Sequence, residues 1–329
     1  MTDRKLAYLG IAAVFVLVFP SPLSATWKDK VLYSFQGGTD GATPVGAVVF
    51  DSAGNMYGAT QNGGSSSCQS IYQCGTLYQL TPPEKEGDSW TETVLYVFQG
   101  NAKNDGASPF GGLVIDRPGN LYGTTAYGGT GDCVLAGSKV GCGTVFEMSP
   151  PTQKGGAWTE TVLYSFPTSK QGYVPWGDLV FDKSGNLYGS TIFGGGKGTT
   201  CDPFYQYCGA VFELSPPKTK GSKWTEKVLH SFAGGSDGAE PNGDLVLDSN
   251  GAVYGTTSYG GNQGCKTDSG IGCGTAFGLK PSANKDLPWT EEKLHIFTGG
   301  TDGGSPLAGL TFGKDGDLYG TTGGGEVRD

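Results

Sequence analysis

Histidine is nearly missing from this chain of 329 residues: there are two, His230 and His295. Both stand where sister segments carry Tyr33, Tyr96 and Tyr164, so neither a Ser-His-Asp nor a Cys-His arrangement has support. Cationic residues are also few, 22 Lys and Arg against 31 Asp and Glu. A net charge of −9 argues against gripping a phosphate backbone, and no nucleic-acid partner is expected. Past residue 25 no apolar run approaches the ~20 residues that cross a bilayer, so no membrane span is expected there. No segment shows the period of an amphipathic helix.

Glycine, by contrast, is abundant, 59 residues, and comes with 12% aromatics and 36% hydrophobics. That mixture suits many short strands joined by tight turns rather than disorder. Residues 1–25 read as a secretory signal: a charged start, an apolar run from Leu6 to Phe19, a break at Pro20 and Pro22, and Ala25 at the cut. Residues 26–329 then form a single domain, expected as a monomer that is secreted, periplasmic or at the cell surface.

Its organisation is periodic. "WTETVLYVF" begins at Trp90, and relatives begin at Trp27, Trp158, Trp224 and Trp289, so five units of about 65 residues follow one another. Each runs through a turn such as "GGTDGATP", an apolar "GLVID", a tight turn, "NLYGTT", a variable loop, "CGTVFEM" and "SPP". Each of the four apolar segments reads as a strand bounded by turn residues. Four short strands per unit predict an all-β fold, a β-propeller of five blades. "GLVID" would be innermost and "WTETVLYSF" outermost. The last unit stops after two clear strands, "LAGLTFG" and "DLYGTT", so the N-terminal strand, residues 27–35, is expected to close the last blade.

The stretch "NLYGTTAYGGTGDCVLAGSKVGCGTVFEMSPP" resembles the GloVer (Gloeo_Verruco) repeat, which occurs in tandem in secreted bacterial proteins described as choice-of-anchor repeat proteins. The resemblance runs from Trp27 to Thr322 and implies a β-propeller and export, but no particular reaction. The chain departs from the family pattern in having no sorting tail after Thr322.

Eight cysteines fall in four pairs, one per complete unit, in the loop between the second and third strands. The repeat favours Cys68 with Cys74, Cys133 with Cys142, Cys201 with Cys208 and Cys265 with Cys273. They lack CxxC spacing and histidine company, so neither a metal nor any other cofactor is expected.

Candidate ligand-binding residues fall into two groups. Asp40, Asp105, Asp237 and Asp302 recur in "TDGATP", "NDGASP", "SDGAEP" and "TDGGSP", either as turn formers or as a ring that holds a sugar or cation. The second group breaks the symmetry: Tyr173 and Trp176 in "QGYVPWGD", with Asp178, Glu240 and Asp244 near the start of innermost strands. The expectation is a non-enzymatic scaffold that binds a glycan or a protein, with no catalytic residue assigned. The alternative is a carbohydrate-active hydrolase or lyase that uses the acids at the channel mouth, which requires two carboxyls in unlike environments.

Overall fold

A computed structural model describes residues 29–64, 74–135, 137–168, 172–195, 208–219, 221–261, 265, 272–284 and 287–324. The chain divides into two units, Met1–Leu32 and Tyr33–Asp329. Of the first, residues 29–32 are described and carry no strand. The second is all β, with three short 3-10 turns and no α-helix among the described residues.

Four antiparallel sheets follow the sequence period. The first sheet contains Ala42–Phe50, Met56–Asn62, Thr76–Thr81 and Thr91–Val97. The second contains Val114–Ile115, Leu121–Thr125, Thr144–Ser149 and Thr159–Ser165. The third contains Val180–Phe181, Leu187–Phe193, Ala210–Ser215 and Thr225–Ser231, and the fourth Val246–Leu247, Val253–Thr257, Thr275–Lys280 and Thr290–Ile296. In each, neighbours in sequence are neighbours in the sheet. Tyr173–Pro175 adds a further short strand beside Leu187–Phe193. A sheet therefore takes its fourth strand from the start of the next sequence unit.

The motif letters acquire separate causes. In "NLYG" the tyrosine hydroxyl donates to the aspartate that opens the preceding turn, as in Tyr57 to Asp51, Tyr122 to Asp116 and Tyr188 to Asp182. The other oxygen of each aspartate accepts the backbone N–H of the residue four positions on, Asn55, Asn120 or Asn186, which shapes the turn. The glycine leaves room for the aromatic ring of the third strand: a Cβ on Gly123 would lie 2.7 Å from Phe146, and one on Gly189 2.6 Å from Phe212. Between third and fourth strands the register slips once in every sheet, at Leu77/Tyr78, Val145/Phe146, Val211/Phe212 and Ala276/Phe277. Such a bulge re-aims the side chain that follows it. Here that is Tyr96, Tyr164, His230 or His295.

Consecutive sheets are joined by aromatic pairs. Phe98 at the end of the first sheet meets Phe146 of the second at 5.3 Å, Phe166 meets Phe212 at 5.3 Å, and Phe232 meets Phe277 at 5.1 Å, all edge-on. All six are fully buried. Phe212→Ala would open a cavity in this stack and is expected to cost about 3–5 kcal/mol, read as a lowered denaturation midpoint at unchanged slope.

A fifth unit contributes Thr311–Phe312 and Leu318–Tyr319, two strands. The outer strand expected at residues 27–35 is not formed over residues 29–35, and Trp27 and Lys28 lie outside the described residues. An outer strand needs a third strand to pair with, and the described part of the fifth unit has none. Tyr33 and Phe35 nonetheless pack as their sisters do. Phe35 meets Tyr78 edge-on at 4.8 Å, with Tyr33 5.2 Å from Phe35, as Tyr96 lies 5.3 Å from Phe98.

Candidate functional site

The segment leading into each first strand carries an unexpected backbone feature. In all five units the residue before the proline has positive φ: Thr43 57°, Ser108 54°, Val174 58°, Glu240 56° and Ser305 50°. Non-glycine residues avoid this region, β-branched ones most strongly, at a cost of about 1–3 kcal/mol each. The conformation is held by contacts between units. Ser108, Val174, Glu240 and Ser305 donate their N–H to the carbonyls of Cys74, Cys142, Cys208 and Cys273 in the preceding unit, at 2.9, 3.1, 2.7 and 2.7 Å. The following proline then lies against the glycine of "CG": a Cβ on Gly143 would meet Pro175 at 2.6 Å. "CG" and "P" are thus two halves of one joint.

Two residues beyond that proline, the units come very close. A Cβ on Gly111 would sit 2.6 Å from the Gly177 carbonyl oxygen, and one on Gly243 2.6 Å from that of Ala308. One position further on, the register residues are Ala47, Gly112, Asp178, Asp244 and Gly309. The two aspartates face neighbouring units in sequence: Asp178 accepts the N–H of Gly112 through Oδ1, and Asp244 Oδ1 accepts the N–H of Asp178 at 2.8 Å. Asp178 is raised to about 7, first by burial and then by the charge of Asp244, against the opposing pull of the Gly112 N–H. Near neutral pH Asp178 therefore holds a proton for part of the time, beside a second carboxyl whose charge favours that state.

Next to it is an aromatic cluster. Trp176 stacks on Phe110 of the preceding unit, ring centres 3.8 Å apart and 19° from parallel. Tyr173 and Phe193 lie 5.5 Å apart, and with Tyr127 these rings pack, partly exposed, over buried Ala126, Val174 and Ile192. The symmetry-breaking residues Tyr173, Trp176 and Asp178 are thus within one segment, joined to Asp244. Glu240 enters through its backbone, as the strained residue before Pro241, and its carbonyl accepts the Ser258 N–H. Phe110 escaped the sequence reading, although its register with Trp176 in "SPFGG" and "VPWGD" would have found it.

The recurrent aspartates stand elsewhere, each folded into its own loop. Asp105 accepts from the Gln99 N–H at 2.7 Å and the Tyr96 hydroxyl at 2.9 Å. Asp40 does the same with Gln36 N–H and Tyr33, Asp237 accepts from the Ala233 N–H beside His230, and Asp302 from the Thr298 N–H beside His295. Their place in the repeat is loop closure, with the tyrosine or histidine after the bulge as partner.

Two expected disulfides are present, Cys133–Cys142 and Cys265–Cys273. Cys74 and Cys208 are also disulfide-bonded, while Cys68 and Cys201 lie outside the described residues. No helix among the described residues is long and apolar enough to cross a membrane.

The family model described as the Gloeobacter/Verrucomicrobia repeat matches residues 18–200 and 132–329. No curated protein matches the sequence. Among solved structures, the chain is similar to a gluconolactonase from Xanthomonas campestris, at 15% identity over 84% of this chain and 68% of that one, TM-score 0.43. It is also similar to an α-L-arabinofuranosidase from Clostridium thermocellum (12%, 85% and 93%, TM-score 0.41) and to an inulosucrase from Halalkalicoccus jeotgali bound to kestose (14%, 80% and 76%, TM-score 0.40). The expected non-enzymatic scaffold is corrected accordingly. These similar structures are of enzymes named for sugar chemistry.

Proposed function

This chain belongs to the Gloeobacter/Verrucomicrobia repeat family, and we propose that it is a carbohydrate-active hydrolase or lyase working where its own repeat is broken, at Asp178 and Asp244. The observation that carries the reading is the raised carboxyl of Asp178 next to Asp244, which accepts the Asp178 N–H at 2.8 Å. Asp178, raised to about 7, is suited to give a proton to the leaving oxygen of a glycosidic bond. Asp244 is the companion carboxylate, placed to assist attack by water or to take a proton from the sugar ring. The rings of Trp176, Phe110 and Tyr173 offer apolar faces on which a pyranose or furanose can stack beside the acids.

The fold we propose for this site is a five-bladed propeller. The packing of Phe35 on Tyr78 supports it, because it repeats the packing of Phe98 on Phe146 and so gives the N-terminal segment the position of an outer strand. Disulfides in successive units favour an oxidising compartment, in line with the leader read at residues 1–25.

Wild-type protein incubated with a panel of neutral and uronate-containing polysaccharides should release new reducing ends or, from the uronates, unsaturated products from at least one of them, and Asp244→Asn should abolish the release while leaving retention on the same polysaccharide intact. A panel bound without turnover, or turnover untouched by Asp244→Asn, would sink the proposal.

A further inference from the structure

Away from the Asp178–Asp244 pair, one group of side chains recurs at every joint, with a phenol in the first three copies and an imidazole in the last two. After the bulge, Tyr96 donates to Asp105 at 2.9 Å, and the charge of Asp105 acts on Glu160 in the fourth strand of the next sheet. Tyr33, Asp40 and Glu92 repeat the arrangement, with Tyr33 donating to Asp40 at 2.7 Å. At the third joint Tyr164 donates to Glu226 at 3.4 Å. In each of these copies the aromatic group is a phenol, and its hydroxyl is a hydrogen-bond donor to a carboxylate.

At the fourth joint the phenol is replaced by an imidazole. His230, in strand Thr225–Ser231, faces Asp237 in the turn Gly235–Asp237 and Glu291 in strand Thr290–Ile296. One nitrogen and two carboxylate oxygens lie within 4.8 Å of one another. His230 Nε2 is 3.4 Å from Asp237 Oδ2, yet it is buried and makes no hydrogen bond. Glu291 Oε1 is likewise buried with no hydrogen-bond partner. Its other oxygen faces Lys293 at 4.0 Å, which leaves Oε1 turned inward. The orphaned glutamate oxygen recurs at Glu92, Glu160 and Glu226, but there no side-chain lone pair on nitrogen accompanies it.

From this geometry we infer that His230, Asp237 and Glu291 form a binding site for a first-row divalent metal ion of the zinc class, which staples the third sheet to the fourth. The donor set, one imidazole and two carboxylates, is of the kind such ions take in three-ligand sites with water in the fourth position. An ion with tetrahedral bonds of about 2.1 Å holds adjacent ligand atoms about 3.4 Å apart, the separation found between His230 and Asp237. The Ala233 N–H, bonded to Asp237 Oδ2 at 2.7 Å, orients the central carboxylate. No metal was expected, since the cysteines lack CxxC spacing and histidine company; the three ligands come from two different repeats.

The test uses the full secreted chain, dialysed against chelator and titrated with Zn2+ by calorimetry and with Co2+ by visible absorption. One equivalent should bind, with the absorption of a low-coordinate Co2+ centre, and Zn2+ should raise the melting temperature. His230→Tyr restores the residue that other units carry and should fold with its metal-free melting temperature preserved, but lose at least tenfold in affinity. Glu291→Gln should lose affinity in the same way, and His295→Tyr should not. Absence of saturable binding by the wild-type chain, binding undiminished in His230→Tyr, or loss of binding in His295→Tyr would each overturn the assignment.

Discussion

Asp178→Asn is expected to lower turnover by about 10²–10⁴-fold, the usual contribution of a general acid, and at the same time to make the protein more stable at pH 8. The amide oxygen can still accept the Gly112 N–H, so the local fold keeps its hydrogen bond. What disappears is the proton and, above neutral pH, a buried charge beside Asp244. In the wild-type chain Asp178 is raised from the ordinary carboxylate range to about 7, so it stabilises the fold fully below its unfolded value, and that contribution is lost as pH rises through 7. A displacement of this size corresponds to at most about 4 kcal/mol. The two proteins should therefore melt together near pH 4 and separate by pH 8, with the variant the more stable. An active variant, or two melting curves that keep a constant gap from pH 4 to pH 8, would remove Asp178 from the role given to it.

The second large effect is on the pH profile of stability as a whole. The melting temperature should be highest at mildly acidic pH and fall toward pH 8. Glu160 is raised to about 7 by burial and by Asp105, and Glu92, Glu226 and Asp105 are raised as well, each chiefly by burial. All of these favour the folded state while protonated and weaken it as pH rises through their folded values. The opposite sign belongs to Asp51 and Asp248, where burial is outweighed by hydrogen bonds from the turn and from Tyr57 or Tyr254, so their contribution is lost as pH falls. The maximum lies between these two windows. Glu160→Gln, which keeps the shape without the charge, should flatten the alkaline side. A profile that rises steadily to pH 8 would contradict the burial of these glutamates at the joints.

Much of the architecture could be read from the sequence because each strand sits between turn residues and recurs once per unit. "WTETVLYSF", "NLYGTT" and "CGTVFEM" are strands in each of the four sheets, and "GLVID" pairs where expected, though over only two residues in three of them. The readings that failed concern contacts between units. Phe110 meets Trp176, Glu291 meets His230, and Asp178 meets Gly112, and each partner belongs to the unit before or after. Single-unit pattern reading has no term for such pairs. The glutamate of "WTE" likewise has a carboxyl oxygen buried in the joint in each sheet, at Glu92, Glu160, Glu226 and Glu291. The positive φ before each proline was also invisible, since Thr43 and Val174 are among the residues least suited to it; at Ser108, Val174, Glu240 and Ser305 the preceding unit's cysteine carbonyl holds it there.

The offset between sequence unit and sheet bears on how such a chain can change length. The tryptophan segment that opens one written unit completes the sheet of the unit before it, and the joint residues are shared in the same direction. A duplication or deletion of one whole period therefore leaves every internal sheet and every "CG"-to-proline joint intact, wherever in the period its breakpoint falls. The Asp178 and Asp244 contacts survive only those events that leave the units carrying Gly112, Asp178 and Asp244 adjacent and in that order. Growth and loss by recombination are thus tolerated by the scaffold in general, whereas the carboxyl pair is kept only by some of them.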